Sequence, residues 1–362
     1  MFMQEMTGLE RFNNFVRRQP ADRIALYEAF WGDTHAKYVA EGHIQPGEDM
    51  ADHFDLDLRE CWAFNTVADL DFVEELVEET EDTRLIKNGN GAVLRWHKHH
   101  ASTPENVAYT VRDRASWNAV REKLVNIDER RINFEAYRNA KANARKKQKF
   151  FTWSGVNVFE LMHPITGHEN MLMGMADDPE WIADMVRVYA DLTIHLQEIL
   201  FAKEGPPDGV YYYEDMGFKQ RPFMSPRMYR ELIYPAHKRT CDFAHSLGLP
   251  VIMHSCGFVE PLLPAMVEAG IDALQAIEIK AGMDLKRIHQ QYSAVLSLMG
   301  GLDVRVLYTN DKNAVAHMLE ENIPVVKQGY GYCLFSDHSI PNTVDYGTYR
   351  FFIERGLELG QY

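Results

Sequence analysis

From residue 150 onward, short apolar runs alternate with longer stretches whose apolar residues recur at helical spacing. Residues 150–153, 209–213, 249–253, 272–277, 294–299 and 329–335 read as strands. Asp178 as N-cap and Pro179 in the first turn open a helix predicted to run to about Lys203. Ser225-Pro226 opens another that stops at Gly248, and helices follow over 259–269, 284–292 and 309–321, with 324–327 leading into the last strand. Residues 24–27 supply a first strand. Repeated βα units with polar residues at the strand ends predict an α/β chain folded as a (β/α)8 TIM barrel. A doubly wound open sheet is the alternative, but no Gly-rich phosphate fingerprint follows any strand.

The first 150 residues are less regular. Residues 69–82 carry eight acids and read as a solvated loop and helix face. Thr83–Lys87 and residues 92–96 flank Asn88-Gly89-Asn90-Gly91, a hairpin signal, and His97, His99 and His100 follow on what reads as an exposed strand edge. The expected organisation is one domain over 1–362. Residues 1–150 hold an N-terminal extension, the first strand and small helical and hairpin elaborations; 150–355 hold the regular units.

Composition narrows the function. A net charge of −15 argues against a nucleic-acid partner, and the one basic run, residues 145–149, reads as a solvated helix end. Cys61, Cys241, Cys256 and Cys333 form no C-x-x-C pair, which fits a reducing compartment. Residues 1–11 lack the apolar centre of a signal peptide, and no run approaches the roughly 18 apolar residues of a membrane span. A cytoplasmic protein is the expectation, with a homodimer as a fold-level one.

The chemistry concentrates at predicted C-terminal strand ends, where barrel active sites gather. These ends carry Glu214 and Asp215, His254 and Cys256, Glu278, Asp303, and the cluster Cys333, Asp337 and His338. In an extended strand His254 and Cys256 point to the same side, as a shared zinc ion demands. A third ligand must come from a distant strand, and Cys333 and His338 are the candidates. Glu214 or Asp215 is expected as a further ligand, general acid or substrate orienter. Glu278 is expected to orient the ligands from behind. Tyr213 and Trp153 are candidate pocket walls, although core packing is the ordinary fate of such aromatics.

Taken together these segments resemble the uroporphyrinogen decarboxylase superfamily, and within it the corrinoid-dependent zinc methyltransferases. The resemblance rests on Phe159-Glu160 with Gly167, Asp178-Pro179-Glu180, Glu214-Asp215-Met216-Gly217 with Ser225-Pro226, and His254-Ser255-Cys256-Gly257. It continues through Gly270-Ile271-Asp272-Ala273-Leu274, Ala281-Gly282-Met283-Asp284, Gly300-Gly301-Leu302-Asp303 and Asp337-His338-Ser339-Ile340-Pro341. It implies a (β/α)8 barrel. The family's decarboxylases hold their polycarboxylate substrate with an N-terminal Arg-Gln-Ala-Gly-Arg motif, where this chain has Arg17-Arg18-Gln19-Pro20-Ala21-Asp22-Arg23. Without that clamp, an octacarboxylate beside a chain of net charge −15 is electrostatically poor, so porphyrin decarboxylation is disfavoured.

The family's methyltransferases bind zinc through His, Cys and a later Cys. His254 and Cys256 match the first two; counted from Ile340-Pro341, the third falls on His338, with Cys333 the second choice. A single thiolate leaves zinc a stronger Lewis acid than two would, which suits a methyl ether or methylamine. The implied activity is methyl transfer between a small methylated compound and the cobalt of a corrinoid. A separate corrinoid protein would carry that cofactor, since a D-x-H-x-x-G cobalamin signature is absent. In this reading Glu214, Asp215 and Glu278 serve the chemistry, and Tyr213, Trp153 and Asp303 meet the substrate. The rivals are a lyase of the same fold on a non-porphyrin substrate, a thiol methyltransferase using Cys333, and a barrel that binds a small ligand without turnover.

Overall fold

The computed structural model of the chain describes residues 5–99 and 103–362, so His100 of the histidine run lies outside the described residues. Eight strands form one sheet: β1 (Ala25–Leu26), β2 (Leu58–Trp62), β3 (Phe150–Val156), β4 (Gly209–Tyr213), β5 (Val251–Ser255), β6 (Ala273–Ala276), β7 (Ser297–Gly300) and β8 (Tyr332–Leu334). Every neighbouring pair is parallel, in the order β1-β8-β7-β6-β5-β4-β3-β2. The sheet curls until its outer strands meet. The Asp57 N–H donates to the Leu26 carbonyl at 2.8 Å, and the Asp57 carboxylate accepts from the Leu26 N–H at 2.9 Å. With helices outside it, the sheet has the arrangement of a (β/α)8 barrel. Strand β2 is the one the hydrophobic pattern does not announce, because Leu58-Arg59-Glu60-Cys61-Trp62 sets two charges in a five-residue run.

Strand alternation divides the core into two layers. Leu58, Phe150, Tyr211, Ile252, Ala273, Met299 and Cys333 pack inside the barrel with Phe12, Phe15 and Val16 of the N-terminal helix Gly8–Arg17. That helix is fixed by a Thr7–Glu10 capping box. Phe151, Trp153, Val210, Tyr212, Val251, Met253 and Leu274 belong to the second layer, with the surrounding helices. Trp153 is thus buried core, 4.8 Å from the ring of Phe64 and 5.8 Å from that of Tyr212, and is not a wall of the inner site.

The long helix runs Pro179–Glu204, with the Asp178 carboxylate accepting from the Trp181 N–H and Gly205, at φ 76°, ending it. After Ser225 the predicted single helix is three pieces, Pro226–Met228, a π-helical turn Tyr229–Ile233 and Tyr234–Ser246. The π turn lies just before Pro235, which has no N–H with which to continue the ladder. Helix Lys312–Val326 starts later than expected, at the Asp311 N-cap, and continues through Pro324 because Ile323 and Val326 are buried in the core.

Outside the barrel, Glu75–Glu79, Thr83–Lys87, Ala92–His97 and Glu105–Tyr109 form an antiparallel sheet in that order. The acidic run expected as loop and helix face therefore contributes an edge strand, exposed along its length. Its charges discourage pairing with another chain. Among the described residues, no helix is long and apolar enough to cross a membrane.

Candidate metal centre

Register and alternation build the site. His254 on β5 is the Cα partner of Tyr213 on β4 and of Gln275 on β6. Two residues earlier, Ile252, Tyr211 and Ala273 belong to the barrel interior, so His254, Tyr213 and Gln275 form the next inward layer. Asp215 and Cys256 stand two residues further on, at the C-terminal mouth. Gly257 holds this turn open at φ 79°, and its backbone lies so close to Gly217 that a side chain on either would collide with the other.

One ligand atom each of Asp215, His254 and Cys256 lies within 4.8 Å of the others. His254 Nε2 is 3.1 Å from Asp215 Oδ1 and 3.2 Å from Cys256 Sγ, while the Cys256 N–H donates to Asp215 Oδ1 at 2.7 Å. Gln275 Oε1 accepts from His254 Nδ1 and from the Tyr211 hydroxyl, the latter at 2.8 Å. Against burial, Cys256 and Asp215 raise the imidazole, so Nε2 carries a proton that a bound cation displaces, while Gln275 keeps the one on Nδ1, the arrangement that metal-bound histidines use. Burial opposes ionisation of Asp215, but His254 and the Cys256 N–H outweigh it and hold the carboxyl at about 2. Burial pushes the Cys256 thiol up despite the adjacent imidazole, a cost that a bound cation reverses. A thiolate, an imidazole and a carboxylate, with one tetrahedral position left over, suit zinc in a catalytic site.

The remaining candidates are distributed around this group. Glu214 is fully buried and turned to the scaffold. Its oxygens accept from the Phe159 and Glu160 N–H groups at 2.8 and 3.0 Å and meet His237 Nε2 at 2.6 Å. It anchors the start of helix Val158–Asp177, the alternative to a chemical role at the mouth. Glu278 accepts from the Gly257 N–H at 2.6 Å and pairs with Lys280 at 3.1 Å, bracing the turn that carries Cys256. Asp303 caps helix Val304–Tyr308 and pairs with Arg305. Asp337 is buried and accepts from the Ile279 and Val304 N–H groups, both at 2.8 Å, and burial lifts its carboxyl to about 6.

Cys333 lies in the barrel interior, its thiol directed to the Leu334 carbonyl and pushed well up by burial. His338 is half-buried in the loop after β8. Burial, then Lys280, pushes its imidazole down, and it feels the charge of His254. Neither belongs to the 4.8 Å donor group, where Asp215 stands as the third member. Tyr213 belongs to the same inward layer: its hydroxyl donates to both Glu60 oxygens at 3.1 Å and its ring lies 4.9 Å from that of His254.

Sequence reasoning missed Gln275, Glu60 and Tyr27. A lone Gln inside the apolar run Ala273–Ala276, and a Glu at an inward position of β2, are the signals that mark the first two; Tyr27, whose hydroxyl donates to Glu60, carries no local signal. Gln275→Leu keeps the side chain's bulk and removes the acceptor for His254 Nδ1. Zinc affinity is expected to fall by about 10- to 100-fold with the fold intact, readable by chelator competition.

Beside the mouth, just after β1, Glu28 is buried, accepting from the Ala29 N–H, the Ser336 N–H and the Ser336 hydroxyl. Burial lifts its carboxyl from 4.5 to about 8. The folded chain therefore holds a proton that the unfolded chain releases near 4.5, so stability present below 4.5 is lost progressively as pH rises towards 8. Glu28→Gln is expected to flatten the fall of melting temperature over that window; parallel curves for the two proteins would contradict the assignment.

An eight-stranded parallel barrel with a donor cluster at the C-terminal mouth defines an α/β barrel with a candidate metalloenzyme centre. The chain matches the uroporphyrinogen decarboxylase (URO-D) family over residues 107–358, and it belongs to that family. No curated protein sequence matches it. Among solved structures, a methyltransferase from Methanosarcina mazei shares the fold at TM-score 0.69 and 14% identity, covering 98% of this chain and 99% of its own. A Xaa-Pro dipeptidase with methionine in its active site aligns at TM-score 0.33 and 11% identity, over 62% of this chain and 59% of its own, too weakly to bear on the fold.

Proposed function

We propose that the protein is a zinc-dependent methyltransferase that moves a methyl group between a small methylated compound and the cobalt of a separate corrinoid protein. The convergence of His254 Nε2, Cys256 Sγ and the Asp215 carboxylate, with Nδ1 held by Gln275, carries the reading. The full-length likeness to a methyltransferase's fold supports it. Zinc held there supplies Lewis-acid chemistry to the heteroatom bearing the methyl group. The corrinoid, on its own protein, docks at the mouth.

The chain's residues divide the remaining work. Asp215 is ionised at neutral pH and serves as ligand, not proton donor. His338, neutral at that pH by the direction of its shift, faces the substrate from the β8 loop. Tyr213 walls the inner side. The proton for the departing heteroatom falls to Glu160, the acid whose backbone Glu214 anchors. Burial raises its carboxyl, Asp215 is within electrostatic reach, and its Oε2 has no hydrogen-bond partner among the described residues. An acid-lined mouth with Glu60, Asp215 and Glu278 repels a polycarboxylate, which speaks against porphyrin decarboxylation.

Elemental analysis of the purified chain tests the ligand set. Near-stoichiometric zinc is expected, retained in His338→Ala and Cys333→Ala and lost in Asp215→Ala. Loss with His338→Ala and retention with Asp215→Ala would restore the His-Cys-His set that the family spacing implies. Loss with Cys333→Ala would favour thiol chemistry.

A further inference from the structure

Beside the mouth, between β1 and β2, lies a cleft of about 500 Å³ that the donor set does not use. Its walls include Tyr27, Phe30 and Trp31, the carboxyls of Glu28 and Glu60, and Arg59. The cleft adjoins the proposed centre on two sides. Glu60 accepts from Tyr213, whose ring is 4.9 Å from that of His254. The Trp31 ring is 6.2 Å from that of His338.

The charge balance of these walls is uneven. Glu60 accepts from the Tyr27 and Tyr213 hydroxyls. Glu28 accepts from a hydroxyl and two backbone amides. These donors are all neutral, so neither carboxyl meets a cation among them; Glu28, lifted to about 8, keeps its proton near neutral pH until a cation in the cleft draws it off. Arg59 is already committed: it pairs with Asp52 at 2.9 Å and donates to the carbonyls of Ala51, Leu56 and Leu58. Burial accordingly raises both carboxyls, as it does where a counter-charge is missing.

Three aromatic rings beside uncompensated carboxyls form the surroundings in which proteins bind organic ammonium ions. The ring faces attract the spread charge and the carboxylates neutralise it. A neutral ether leaves the carboxyls without a partner, and an anion is repelled. A bare metal ion gains nothing from aromatic walls and asks for a denser oxygen shell. We propose that this cleft is the recognition subsite for the substrate and takes an alkylammonium group, so that the methyl donor is a methylated compound carrying a cationic amine. The donor assignment rests on the methyltransferase reading; the affinity of the cleft for the cation does not.

The test is calorimetric titration with choline and with 3,3-dimethylbutan-1-ol, its neutral isostere with carbon in place of nitrogen. Both are run on zinc-loaded and zinc-stripped protein. Choline is expected to bind at least about tenfold more tightly than the isostere, with or without zinc. Trp31→Ala and the isosteric Glu60→Gln, each checked for folding by circular dichroism, are each expected to weaken choline at least about threefold and to narrow its advantage over the isostere. Equal affinity for the two ligands, no choline binding, or choline binding unchanged in both variants would overturn the proposal. Choline binding by a protein that never transfers methyl to a corrinoid would sink the methyltransferase reading and leave the subsite standing. Turnover of a neutral methyl ether by a protein that ignores choline would do the reverse.

Discussion

Cys256→Ala is expected to strip the protein of zinc and lower methyl transfer to cobalt by more than about 100-fold, while leaving the barrel folded. The thiol is only partly buried, at the open end of β5, so its removal costs little packing. Its contribution is electronic: it is the one soft donor in the group with His254 and Asp215. Replacing a group that merely orients a ligand already costs about 10- to 100-fold in affinity or activity, and a ligand itself costs more. His254→Ala should behave alike, although it also removes the partner of Gln275. Zinc content, circular dichroism and the transfer rate, measured together, separate this from misfolding. A Cys256→Ala protein with full zinc and full activity would refute the assignment.

The second large effect concerns stability, at the opposite end of the barrel. Asp57 is fully buried where β1 meets β2, 2.8 Å from Arg11 Nη1 and 3.1 Å from Arg23 Nη1, and it accepts from the Leu26 N–H. Arg11 is itself only 4% exposed and comes from the helix that fills the barrel's base. Asp57→Ala leaves the Leu26 amide without its acceptor and takes one carboxylate from each guanidinium, while Arg11 keeps its pair with Asp22 at 2.7 Å and Arg23 the Ile24 carbonyl. Breaking a buried pair costs about 3–5 kcal/mol when the surviving charge is left alone, so with Asp22 still in place the expected loss is about 3 kcal/mol. Urea unfolding should show it, against a control such as Asp71→Ala on the surface, expected within about 0.5 kcal/mol of the parent. Equal midpoints for the two variants would mean that closure does not depend on Asp57.

What the sequence disclosed and what it withheld follow from the range of each signal. The β4 to β8 strands are short apolar runs between capped helices, and that local pattern survives folding. His254 and Cys256 were legible because alternation within one strand puts them on one face. Strand β2 was hidden by Arg59 and Glu60, which are tolerated only because Arg59 finds Asp52 and Glu60 faces the inner layer. Asp215 and Glu214 are neighbours in sequence and opposite in fate, a difference set by His237 and two backbone amides more than fifty residues upstream of Glu214 or on another helix. Gln275 acquires its meaning only from the register between β5 and β6. No periodicity along a single segment encodes such cross-strand partners.

The most direct test of the central claim is a spectrophotometric assay of methyl transfer to free cob(I)alamin, with zinc-loaded and zinc-stripped protein and a panel of methyl ethers and methylated amines. Methylation of the corrinoid that requires both the protein and zinc, and that fails with Cys256→Ala, is the predicted result. A protein that binds zinc fully yet methylates no corrinoid with any donor, and yields no methylated product in the reverse direction, would contradict it.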